Sequence, residues 1–312
     1  MDKEKAAKII DYVVTTTKPL WEKWIQLSYK NLDDIFLARA FEQGGFQANI
    51  FYEILKDKAI GSISAVGRIM ENYSGTLKYK RGEAGGLDKR FYQELRMGKY
   101  GEEGLKLFKS VEEFLKNRKG LPGMNFWRLI WYMLVDCNYL RKNYQSSFKH
   151  YLKSKYCQFK KIDYLSDADF CGLSEEEWQN FVRETKPWRE LSGVGPNVFD
   201  YIVRDIDEFR FNQDTYQLDS ANDHFFRVTG IAALVNLNDR DSVIEFLKSL
   251  NLSHPYKIKE INTGIYAYCS RTEKKRFGFC IDKAKCLQCG VNEYCEKNFS
   301  EIGPKPRKRK CG

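Results

Sequence analysis

An all-α fold is what this sequence predicts. Apolar residues recur at three- and four-residue spacing along most of the chain, strand-like alternation is rare, and Gly- and Pro-bearing loops cut the pattern into helix-length pieces. In order, the helical stretches are AAKIIDYVV, LDDIFLARAF, ANIFYEILK, LKLFKSVEEFLK, EEWQNFVRE and SVIEFLKSL. One further segment, NFWRLIWYMLVDCNYL (Asn125–Leu140), is apolar almost all round, as a helix buried on every side must be. Loop signals fall at KRGEAGG (Lys80–Gly86), RKGLPG (Arg118–Gly123) and IGPKP (Ile302–Pro306), and no internal repeat is visible.

Composition narrows the partners. With 312 residues the chain has room for one large or two medium domains, each with a core. Lys and Arg number 52 against 42 Asp and Glu, a formal +10, which favours a polyanionic partner over the plainer reading of a solvated basic surface. Twelve Lys and Arg against five Asp and Glu lie between Arg271 and Gly312, so most of that excess is C-terminal. The opening MDKEKAAKII lacks the apolar core of a signal peptide, and no run of about 18 apolar residues occurs. The expectation is therefore an intracellular protein with no membrane partner, whose nine cysteines are reduced, buried or metal-bound.

Three motifs carry chemistry. In LSGVGPNVFDYIVRDI (Leu191–Ile206), Gly193 and Gly195 flank Val194, and Pro196 suits the first position of a helix. Glycines at such a turn can take positive φ and let backbone N–H groups approach an anion at the helix N-terminus. With EEWQNFVRE before it and NVFDYIVRDI after it, this reads as a helix–hairpin–helix that grips nucleic-acid phosphate without regard to sequence; an ordinary interhelical turn is the plainer reading. In TYQLDSANDHFFRVTG (Thr215–Gly230), Asp219 stands before a further helical pattern, where a simple N-cap is the common use of Asp. In the third, Cys280, Cys286, Cys289 and Cys295 form a C-x5-C-x2-C-x5-C array, whose four thiolates suit tetrahedral zinc or an iron–sulfur cluster.

In this order, over about Leu121 to Ser300, the three motifs resemble the endonuclease III superfamily of helix–hairpin–helix DNA glycosylases. LSGVGPNV is similar to the family hairpin, TYQLD to the segment ending in its catalytic aspartate, and the cysteine array to its 4Fe–4S loop, one residue shorter in the first gap. MLVDCN resembles the segment whose last residue, here Asn138, enters the gap left in the duplex by the flipped base. The resemblance implies two helical lobes with DNA in the cleft between them. One would be a six-helix bundle over 121–235 bearing hairpin and aspartate. The other, a cluster domain over 236–303, would pair with N-terminal helices and end in a basic tail, 304–312. The sequence departs from the family in three places. Asn197 stands where bifunctional members carry lysine. Extra residues separate Asp219 from FFRV, which lets Asp223 compete for the catalytic register. A helical region, 1–120, precedes the match and has no known counterpart.

The expected function is thus a monofunctional DNA glycosylase of base excision, acting on double-stranded DNA as a monomer with a 4Fe–4S cofactor. Asp219 (or Asp223) would stabilise charge on the sugar. Gly193, Val194, Gly195, Asn138, Lys274, Lys275 and Arg276 would contact DNA, and the four cysteines would hold the cluster. His224 is read as a structural or site-facing histidine. A non-catalytic DNA-binding protein would keep the same motifs with Asp219 as a cap. A cluster-bearing nuclease would need clustered acids for divalent metal, and groups such as DADF and SEEEW read instead as helix caps.

Overall fold

The structure is a computed structural model and describes residues 1–25, 31–41, 48–71, 73, 89–116, 123–204, 216–269 and 277–299. Among the described residues the regular elements are helical and no strand occurs. The α-helices are α1 (Lys3–Ile25), α2 (Leu32–Arg39), α3 (Ala48–Asp57), α4 (Ile63–Arg68) and α5 (Lys89–Arg96). Next come α6 (Gly101–Lys116), α7 (Gly123–Asn143), α8 (Phe148–Lys160), α9 (Asp167–Cys171) and α10 (Glu175–Thr185). The last are α11 (Pro196–Arg204), α12 (Ser220–Thr229), α13 (Arg240–Lys248) and α14 (Ile258–Cys269). None is long and apolar enough to cross a membrane.

Local chemistry explains many of the ends. Ser62, Ser147, Ser166 and Ser174 each accept a backbone N–H of the first turn they precede, and Asn31, Asp219 and Asp239 do the same. Ser174 and Glu177 complete a reciprocal capping box. Asp167 of DADF is tied to Lys149 and Lys153. Both acidic groups therefore serve helix ends and ion pairs.

The chain forms two compact units. Unit 1 joins residues 1–28 to 212–312, and unit 2 is 29–211. In unit 1, α1 packs along α14, and at Gly264 the two come close enough that a Cβ would lie 3.2 Å from Val14 Cα. The core there is built from Ile9, Val13, Phe225, Phe226, Val243, Ile261 and Ile265, among others. Unit 2 is organised on α7, whose Phe126, Ile130, Met133, Leu134, Cys137 and Leu140 are buried in one core with residues of α2 to α11. Helix α4 lies on α7 at Gly67, where a Cβ would meet the Cys137 carbonyl oxygen at 2.7 Å.

This division differs from the expected boundaries. Residues 1–120 are not one region: α1 belongs to unit 1, while α2 to α6 share the core of α7. The expected break after residue 235 lies inside unit 1. The hairpin and Asp219 thus belong to different units, not to one bundle. The physical reason is that α2 to α6 present apolar faces which α7, apolar nearly all round, can cover.

Candidate functional site

The hairpin begins where α10 stops. Lys186 ends that helix in the left-handed conformation (φ 49°), and Pro187–Glu190 forms a short 3-10 turn the sequence pattern did not show. Leu191 and Val194 are buried and anchor the loop by their side chains. Gly193 has φ +73°, and a Cβ there would sit 2.3 Å from the Tyr132 ring on α7. One turn along α7, Asp136 Oδ1 accepts the Ser192 N–H at 2.7 Å. Asp136 is 1% exposed, and its Oδ2 has no hydrogen-bond partner. Burial raises its carboxyl well above the ordinary carboxylate range, against the opposing pull of the Ser192 donors. Gly195 does not need positive φ; open space surrounds its Cβ position, and its carbonyl accepts Phe199 N–H at 2.9 Å to start α11. Pro196 and Asn197 are exposed at that N-terminus, where first-turn N–H groups have no helical acceptor. The arrangement is a rigid turn with one bare glycine at a helix start, suited to an anion.

Asn138 does not fit the expected role. The helix runs on without a stop to Asn143, so Asn138 lies inside α7, 2% exposed, with Oδ1 unpartnered. A residue entering a duplex must be free to leave the protein surface, and this one faces the interior. Lys274, Lys275, Arg276 and the tail 304–312 lie outside the described residues.

Asp219 caps α12. Its Oδ1 accepts Ala221 N–H and Asn222 N–H, each at 2.8 Å, and Asn222 Nδ2 at 3.1 Å. Asn222 is fully buried and takes the Tyr216 hydroxyl at 2.6 Å, while Asn262 Nδ2 holds the Gln217 carbonyl at 2.8 Å. The carboxylate is therefore half-buried and oriented from below by a polar network. Asp223 is engaged elsewhere: both its oxygens meet the Arg227 guanidinium at 3.0–3.2 Å, a helical i,i+4 pair. Of the two candidates, Asp219 alone stands at a helix end.

The four cysteines meet at the other end of α12. Cys280, Cys286, Cys289 and Cys295 line one small cavity, with Val228, Phe279, Asn292 and Phe299 completing its walls. His224 Nε2 lies 2.7 Å from the Cys280 carbonyl, Glu296 N–H donates to the Thr229 carbonyl at 3.1 Å and Asn298 N–H to Val228 at 2.9 Å. Gly230 closes α12 at φ +88°, where a Cβ would strike the Glu296 carboxylate. Burial pushes the Cys295 thiol up to about 11; the neighbouring Cys269 thiol and then burial raise Cys280 well above the ordinary thiol range. Among the described residues no three His, Cys, Asp or Glu side chains are gathered as a single ion would need them. Four thiols lining one cavity are a donor set for either zinc or an iron–sulfur cluster.

Sequence reasoning missed Tyr132, Asp136, Asn222 and Asn262. Only Asp136 gave a signal, as an acid within the apolar run MLVDCN. Compared with known proteins, the chain matches no family model, no curated protein and no solved structure.

Two outcomes test the hairpin. Gly193→Ala should destabilise the fold by about 1–2 kcal/mol for left-handed backbone and roughly 1–3 kcal/mol more for overpacking on Tyr132. Gly195→Ala should leave urea unfolding nearly unchanged while weakening anion binding; equal destabilisation by both would contradict this geometry. The second outcome is a pH dependence at Asp136. Its folded-state carboxyl titrates above the unfolded one, so the stability it contributes is full below about pH 4 and lost as pH rises toward the folded value. The unfolding free energy of Asp136→Asn minus that of the wild type should therefore grow from about pH 4 upward. A difference constant between pH 4 and 8 would show that Asp136 is not raised.

Proposed function

We propose that this chain is a DNA glycosylase that flips a base out of duplex DNA and cleaves its N-glycosidic bond with water. The observation that supports it most is the shared helix: Asp219 holds its carboxylate at the N-terminus of α12, whose far end walls the four-cysteine cavity. As the base leaves, positive charge develops on the sugar. A carboxylate beneath C1′ stabilises that charge and helps orient water. Asp219 suits the task because one oxygen is already fixed by three donors. The hairpin supplies N–H groups for a phosphate, which gives affinity without sequence choice. Exposed Lys283 adds a cation within the cysteine loop.

The four thiols and the walls of their cavity fit a 4Fe–4S cluster, which we propose as the resident group. When bound, it supplies a structural staple, and the chemistry at the sugar belongs to Asp219. Asn197 occupies the position at which a lysine would serve as nucleophile. An amide nitrogen is delocalised into its carbonyl and cannot form a Schiff base. The product is then an intact strand with an abasic site.

A second reading has an observation of its own. The two backbone donors on Asp219 Oδ1 are also those of a plain N-cap, as a non-catalytic DNA-binding protein would use them. Asp219→Asn separates the two readings, because asparagine caps a helix about as well as aspartate. The glycosylase reading expects base release to fall at least 100-fold with DNA affinity kept, in line with the usual scale of a lost charge-stabilising or acid–base group. It also expects strand breaks only after alkali, and no borohydride-trapped adduct. Asp223→Asn should stay active with a slightly weaker fold. Full activity of Asp219→Asn would overturn the assignment.

A further inference from the structure

One side chain outside the four-cysteine array reaches one of its sulfurs. Tyr268, near the end of α14, is only 1% exposed. Its hydroxyl lies 3.0 Å from Cys289 Sγ.

The tyrosine is held rigidly in place. Its ring stacks on Phe279 at 4.8 Å and 11°, with Tyr12 edge-on at 6.4 Å and Phe277 tilted at 6.3 Å. Its carbonyl accepts the Gly278 N–H at 2.9 Å, tying the end of α14 to the start of the cysteine loop. Burial, followed by the contact with Cys289, keeps the phenol protonated far above its ordinary range.

We propose that Tyr268 is a hydrogen-bond donor to one of the four ligating sulfurs and raises the reduction potential of the iron–sulfur group. The inference rests on the cluster reading above. A thiolate bound to iron carries no proton, so the proton must come from the partner, the Tyr268 O–H toward Cys289. An added electron increases negative charge on the sulfurs. A donor pointing at them favours the reduced form, which moves the potential upward. Tyr268 is thus a tuning residue and takes no part in the chemistry at the sugar.

The test uses the full chain reconstituted anaerobically with ferrous iron and sulfide, assayed for iron content and titrated for its midpoint potential by EPR. Tyr268→Phe keeps the stacked ring and removes only the oxygen. It should hold iron as the wild type does, with a midpoint shifted to more negative potential. Should Tyr268→Phe load iron poorly, Tyr268→fluorotyrosine, of the same shape and with a more acidic O–H, decides the matter by moving the midpoint upward. Wild-type midpoints in both variants at full iron content would overturn the inference while leaving the cluster intact. A wild-type chain that takes up zinc but no iron would overturn the cluster reading, and the inference with it.

Discussion

Unit 1 depends on the anchoring of a cysteine loop to the body and end of α12. That helix has ten residues, roughly 15 Å of rise. At its start Asp219 gathers three donors onto one oxygen. Further along, His224 fixes the Cys280 carbonyl, and backbone N–H groups of Glu296 and Asn298 dock on Thr229 and Val228. Gly230 takes the left-handed backbone (φ +88°) at this end, a conformation that a residue with a Cβ adopts only with strain. A change in the loop therefore bears on the helix that positions the carboxylate, with no part in the chemistry itself.

Unit 2 uses a comparable device on its hairpin. The turn is shaped less by its own glycines than by α7 beneath it. The Tyr132 ring fills the space a side chain at Gly193 would need, and Asp136 holds the Ser192 N–H. Placing a carboxyl there is costly, since burial opposes its ionised form. A turn fixed at the start of α11 is what that cost maintains. The glycine that does not need its freedom, Gly195, is the one with open space around it.

Much of the fold was legible because amphipathic helices write their period into the sequence. The segments read at AAKIIDYVV, LDDIFLARAF, ANIFYEILK, LKLFKSVEEFLK and SVIEFLKSL all fall within or across described helices. Helix α14 was not named, because Asn262, Thr263 and Gly264 interrupt its apolar pattern. All three are nevertheless buried, the amide in a network and the glycine against α1. The domain boundaries were misplaced for a related reason: periodicity marks a helix's apolar face but not the element that covers it. The cysteines and Asp219 could be picked out by spacing and context. The polar network under Asp219 and the carboxyl under the hairpin could not, since single polar residues in apolar runs carry no period. Asn138 was misread because a polar residue near an apparent helix end is indistinguishable from one inside a helix that continues.

The most direct measurement is mass spectrometry of what the protein releases from duplex DNA bearing a panel of damaged, mispaired and modified bases, with EDTA present throughout. Free base from at least one duplex, with every phosphodiester intact, is the predicted result. Nucleotides or cut strands without free base, appearing only when divalent metal replaces EDTA, would contradict it and make the chain a nuclease.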